Sequence, residues 1–344
     1  MRALASVLAT LVVATASTAA ADHDHKKKKQ KRVEVSGFLS MIYKFRVEQN
    51  GDGVHDPDVF RLGKAVVRVA GRIRRQVGYT VEIDPRSPTI EGVLRDGYIS
   101  LHVVPGHEVR LGQQKTPFGY ESWQSSTSLY TITRSELSEG IGRGVTHRDL
   151  GVGLVGAIKL SDDLRIEDAI AVVNGAGFGR QADDTQMKNV WARVGVRWRP
   201  AGLVIHAGLS GALGDQMSEP DPGPPPEPAV RFAFRRAGAD LEVDHRYFHV
   251  GVEGAIGFTR LPADGGETES DLAYFVLVAG KLPHHTGPVV RYDAADAEGF
   301  ERVTAGVYWG EPRSRFRVLA DYEWFTDDAG DHDGRVSVEA IARF

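Results

Sequence analysis

The feature that most constrains this chain is a two-residue hydropathy period that recurs, segment after segment, from residue 33 onward. In the first segment Val33, Val35, Leu39, Met41, Tyr43, Phe45 and Val47 share one face. Glu34, Ser36, Ser40, Lys44, Arg46 and Glu48 share the other with Phe38 and Ile42. Such alternation predicts a strand with one apolar and one largely polar side. The pattern repeats over 60–73, 77–84, 93–104, 108–114, 150–160, 165–174 and 188–199, and then over 203–213, 230–243, 246–259, 272–282, 288–293, 302–310, 315–325 and 335–344. Sixteen strands are therefore expected.

The connections between these segments alternate as well. Tight turns such as 105–107, 200–202 and 244–245 follow even-numbered segments, whereas longer polar stretches such as 49–58, 115–149, 175–187 and 214–229 follow odd-numbered ones. This wiring predicts an all-β, membrane-spanning antiparallel barrel, with short turns at the periplasmic rim and long loops outside. A mean hydropathy of -0.26 is no objection, because lipid-facing and lumen-facing side chains cancel in any window. With no cysteine, the chain has neither a disulfide framework nor a thiolate site. A net charge of -4 gives no basic bias toward nucleic acid, and the sequence calls for no cofactor or metal.

Met1-Arg2, an apolar run over 3–16 and Ala19-Ala20-Ala21 predict a secretory signal peptide over 1–21. Residues 22–32, DHDHKKKKQKR, read as a charged flexible leader, with a metal-binding or surface-binding tail as the rival reading. The barrel domain is expected over 33–344. Its last segment places Val336, Val338, Ala340 and Ala342 on one face and closes on Phe344, similar to the signal read by the barrel-assembly machinery. The expected location is the outer membrane of a Gram-negative-type bacterium, in contact with its lipid.

Parity assigns faces, since an arginine or lysine turned toward lipid at the bilayer midplane costs about 2–4 kcal/mol. The lumen side then carries Arg46, Lys64, Arg68, Arg110, Arg291 and Arg317, together with Lys44, Arg72, Arg193, Arg197, Arg302 and Arg335. Acids share that wall, among them Glu82, Asp96, Glu108, Glu253, Asp293, Asp321, Glu323 and Glu339. Ladders of this kind either serve a solute or brace the wall. Tyr43, Tyr79, Trp198, Trp309, Tyr322 and Trp324 fit aromatic belts, while Trp191 falls on the lumen side.

The segment Leu94-Arg95-Asp96-Gly97-Tyr98-Ile99, then Pro105, then 109–121 (VRLGQQKTPFGYE) resembles the signature of the phosphate-selective porins O and P. Arg134-Ser135, Arg148-Asp149-Leu150-Gly151-Val152, Val173-Asn174-Gly175 and Pro288-Val289-Val290-Arg291-Tyr292-Asp293 follow in the family's order. The resemblance implies a sixteen-stranded porin, usually a homotrimer, whose third outer loop, 115–149, folds into the lumen as a constriction. It also implies a constriction lysine and a nearby wall acid, for which Lys115 and Asp96 are the counterparts. Ser125, Ser126, Arg134, Arg143, His147 and Arg148 are loop contributors on the same ground.

The implied function is a passive, water-filled channel for small hydrophilic solutes, with a preference for anions such as phosphate. A weakly selective diffusion pore and a structural barrel without conductance stay open as rivals. Where the family has an arginine cluster near the start of its second strand, this chain offers only Arg61 and Lys64. An enzyme is not expected, because no serine, histidine and carboxylate stand at a recognisable spacing.

Overall fold

The computed structural model describes residues 33–48, 58–87, 90–141, 148–179, 187–217, 230–260, 268–296, 299–326 and 332–344. The signal peptide and leader expected over 1–32 lie outside them. The strands are β1 (Val33–Glu48), β2 (Val59–Arg74), β3 (Val77–Ile83), β4 (Leu94–Leu101), β5 (His107–Lys115), β6 (Arg148–Lys159), β7 (Leu164–Val173) and β8 (Asn189–Trp198). They continue as β9 (Leu203–Met217), β10 (Arg231–His245), β11 (Phe248–Arg260), β12 (Thr268–Gly280), β13 (Thr286–Ala295), β14 (Phe300–Trp309), β15 (Phe316–Thr326) and β16 (His332–Arg343). Each strand pairs with its sequence neighbours, and β1 pairs with β16, so the sheet is a closed barrel of sixteen strands. Closure leaves no unpaired edge, which is what a sheet surrounded by lipid requires.

Burial follows the sequence period. On β12, Ala273, Phe275, Leu277 and Ala279 are buried, while the residues between them, Leu272, Tyr274, Val276 and Val278, are exposed to the surroundings of the barrel. The exposed set is almost wholly apolar, as a lipid-facing surface should be. Trp198 and Trp309 stand on the same outer surface near the short-turn rim.

Two register shifts alter the inward set. Ser40 pairs with Lys64 but Met41 pairs with Leu62, so Gly63 is an extra residue and both Arg61 and Lys64 face inward. A Cβ at Gly63 would meet the Ser40 and Ile42 side chains, which explains the glycine. Likewise Glu82 pairs with Asp96 and Ile83 with Leu94, so Arg95 is the extra residue on β4.

The seam is closed by Gly37 and Phe344. The Gly37 amide donates to the Phe344 carbonyl at 3.0 Å and the Phe344 amide to the Gly37 carbonyl at 3.1 Å. The Phe344 ring lies where a side chain at residue 37 would otherwise stand.

The interior holds two apolar clusters. One joins Phe118, Leu137 and Ile141 to Ala171, Val173, Trp191, Phe234 and Ala255. The other joins Tyr130 and Ile132 to Phe275, Leu277, Val289, Tyr308 and Leu319. Trp191, fully buried, faces Phe118 edge-on at 5.9 Å between ring centres. Both clusters are made between the β5–β6 connection and inward side chains of the wall, so this barrel encloses packed protein.

Candidate functional site

The connection from β5 to β6 is short of regular structure but dense in hydrogen bonds. It contains helical turns at Tyr120–Trp123, Ser126–Ser128 and Glu136–Glu139. Ser125 and Ser135 cap the latter two, each accepting from a backbone amide two or three residues on. Glu121, inside the loop, accepts from the Ser135 amide at 2.9 Å and from the Ser135 and Ser138 hydroxyls at 2.6 Å each. The segment is thus folded on itself before it meets the wall.

Its outward-turned backbone groups are then met by inward side chains of β9 to β15. The Gly119 amide donates to Ser210 on β9 at 3.0 Å, and the Tyr120 and Glu121 amides donate to one carboxylate oxygen of Glu253 on β11 at 3.1 and 3.0 Å. The Ile132 amide donates to Asp321 on β15 at 2.7 Å, and the Glu136 amide to Asp293 on β13 at 3.0 Å. Carbonyls are served by arginines. Arg291 donates to the Thr133 and Arg134 carbonyls at 2.8 and 3.2 Å, and Arg302 to the Arg134 carbonyl at 2.6 Å. Arg317 takes those of Thr127 and Leu129, both at 2.9 Å. A buried peptide group left unpaired costs about 1–3 kcal/mol, so this set of wall side chains is what permits irregular backbone inside the barrel.

The wall formed by β1 and β2 is different. Lys44, Arg61 and Lys64 face inward there, and among the described residues none of the three makes an ion pair. Lys64 lies within electrostatic reach of Glu339 on β16, of Arg95, and of Arg134 and Glu139 in the loop. Lys44 lies within reach of Arg61, Arg335, Glu323 and Glu339. Most wall carboxylates, by contrast, are already held. Glu323 accepts from Arg335 at 2.8 Å, Asp240 from Arg193 at 2.5 Å, and Asp333 pairs with Arg46 at 2.7 Å.

The profile of the phosphate-selective porin O and P family matches residues 41–217. The chain belongs to that family. The match spans β1 to β9 and includes the whole inner loop. No curated protein matches the chain. Among solved structures it resembles OmpT, an outer membrane protein of Vibrio cholerae, in its in-vitro folded trimer form, at 14% identity and a TM-score of 0.61, covering 91% of this chain and 99% of that one. It also resembles the outer membrane channel DcaP of Acinetobacter baumannii at 14% identity and 0.57, covering 94% and 100%. OprB of Pseudomonas putida is similar at 9% identity and 0.57, covering 91% and 94%. At these identities the likeness concerns the fold, that of outer-membrane barrels.

Within this porin the residues singled out by sequence separate into two groups. Arg291 and Arg317 point inward as parity requires, but both are 0% exposed beneath the loop and cannot touch a solute. Parity reports the face and not what lies on it. Arg134 is sealed in the same way, donating to the carbonyls of Glu121 and of Gln124, the latter at 2.9 Å. Burial pushes its guanidinium below the ordinary arginine value, against the opposing pull of Glu121, Glu139 and Glu253. Arg148 and Asp96 are brought together, but with each other, at 2.6 Å, and Arg148 also reaches Glu82 at 3.5 Å. Lys115 sits at the base of the loop with its ammonium donating to the Gln124 carbonyl at 3.0 Å.

The remaining members keep more exposure. Lys64 is partly exposed, Arg68 pairs loosely with Glu82 at 3.9 Å, Arg110 is held by Glu108, and Arg46 is one-third exposed beside Asp333. Ser125 is exposed and bonds Thr127, with Ser126 half-buried beside it. Arg143 and His147 lie outside the described residues. Arg95, which strict alternation would turn to lipid, instead pairs with Glu82 at 3.2 Å because of the β4 register shift.

Proposed function

We propose that this porin is a passive, water-filled channel that favours small anions, phosphate among them. The observation that carries the reading is the contrast between two walls: acids are largely committed to arginines or to loop amides, while Lys44, Arg61 and Lys64 carry uncommitted positive charge. An anion shedding part of its hydration needs donors that replace water yet release it again, and lysines on flexible stems meet both needs. Glu339, within reach of both Lys44 and Lys64, weakens their hold and speeds release. Lys115 and Asp96 belong to the same region, as supports of the loop base. The long-loop rim faces outside, and a homotrimer, the form of the V. cholerae OmpT structure, is the proposed assembly.

Reversal potential across a KCl gradient in planar bilayers tests this. The parent is expected to be anion-selective and blocked by added phosphate, and Lys44→Gln/Arg61→Gln/Lys64→Gln to lose most of that preference. A cation-selective parent, or a triple variant with unchanged selectivity, would overturn it.

A further inference from the structure

On the outside of the barrel, at the long-loop ends of β10 and β11, two arginines break the apolar surface. Arg235 follows the outward parity of Ala233, Ala237, Ala239 and Leu241, and is exposed like them. Arg260 follows that of Val252, Ile256 and Phe258. Arg235 is paired with Phe258 and Arg260 with Ala233, so the two arginines are diagonal neighbours, about 7–8 Å apart at their backbones. Among the described residues neither has an ion-pair or hydrogen-bond partner.

Both arginines line one groove of about 800 Å³, together with Met187, Leu213, Ala237 and Phe258. Thr268, opposite Arg260 on β12, lines it too and brings a hydroxyl, and Ser270 stands beside it opposite Phe258. The groove therefore has a polar end with two guanidinium forks and a hydroxyl at the rim. Its other end runs down onto the apolar band.

We infer that this groove binds an anionic, phosphorylated lipid of the surrounding leaflet, with the phosphate between Arg235 and Arg260 and an acyl chain along Leu213, Ala237 and Phe258. Guanidinium forks match phosphate oxygens bidentately, and among the described residues no carboxylate pairs with either arginine. The apolar lining gives the site a lipid rather than a free ion, since inorganic phosphate would leave that surface uncovered. The site lies on the opposite face of the sheet from the passage and is independent of what the channel conducts.

The test uses the full-length protein purified in detergent and native mass spectrometry with a bisphosphorylated, multiply acylated glucosamine disaccharide lipid. The parent is expected to retain it through mild delipidation. Arg235→Gln/Arg260→Gln is expected to lose at least about tenfold in affinity, the effect of removing two charge-assisted contacts. Arg235→Lys/Arg260→Lys is expected to recover part of it, and heat-modifiable gel migration verifies that each variant is folded. Equal binding by the double Gln variant, or equal binding of the dephosphorylated lipid by the parent, overturns the proposal. So does full competition by millimolar inorganic phosphate, which would make the site a simple ion site. A double variant that changes oligomeric state while keeping its lipid would make the face a contact between copies, and the proposal would fall.

Discussion

Arg291 and Asp293 stand on the same face of β13, joined at 3.0 Å, both 0% exposed, and each holds a different backbone group of one short stretch of the inner loop. Arg291 takes carbonyls and Asp293 takes the Glu136 amide, while Arg302 binds both Asp293, at 2.8 Å, and the Arg134 carbonyl. One ion pair therefore serves as a two-sided clamp.

Breaking that clamp should loosen the loop without opening the barrel. Arg291→Met leaves Asp293 buried with half its pairing, a change that costs about 3–5 kcal/mol for a buried pair. The expected readouts are a larger single-channel conductance and a lower temperature for the heat-induced gel shift. Conductance and shift temperature both equal to the parent's would rule the clamp out.

The absence of cysteine permits clean thiol labelling. Lys64→Cys and Arg61→Cys should react with a water-soluble cationic thiol reagent added to the open channel, and the attached positive charge should restore anion preference. Ser138→Cys, at a position 0% exposed, should stay unlabelled in the folded protein. Rapid labelling at 138 would mean that the loop is not seated as described.

If selectivity arises from uncommitted surface charge, salt should erase it. The screening length falls from about 10 Å at 0.1 M to about 3 Å at 1 M. The anion-to-cation permeability ratio is expected to decline toward unity over that range, and a ratio that holds constant would mean that these charges act only on an anion in direct contact with them.

Trp191→Ala removes the largest side chain of the cluster around Phe118 from between Phe118 and Phe234. Large-to-small changes of this kind cost about 3–5 kcal/mol. Thermal unfolding should shift accordingly, with the loop's Phe118 end freed first and detectable as faster proteolysis near residue 118.

At the seam, Gly37→Val would thrust a side chain against the Val66 carbonyl and the Phe344 ring. We expect a marked loss of the heat-resistant folded band, and deletion of Phe344 to lower outer-membrane levels by removing both seam hydrogen bonds. Normal levels of either variant would place the closure elsewhere.

All sixteen strands were legible in the sequence, because a membrane barrel writes its faces as alternating residues and its rims as alternating turn lengths. Which inward residues meet solute was not legible. Arg291 and Arg317 read the same as Lys64 in a linear pattern, yet they are sealed beneath a loop whose path depends on contacts far away in sequence, and Arg134, named by resemblance, is buried within that loop. Arg95 was lost for a second reason: one inserted residue in β4 resets parity, and only its pairing with β3 reveals it. Trp191 could be placed inside by parity, but its partner Phe118 lies in a segment with no period to read.

The anchors named for the inner loop stand on β9 to β15, whereas the loop itself leaves from β5. Until those later strands have joined the sheet, its amides and carbonyls have only water for partners. Seating of the loop is thus coupled to completion of the far wall, because its partners become inward side chains only once β9 to β15 are in the sheet.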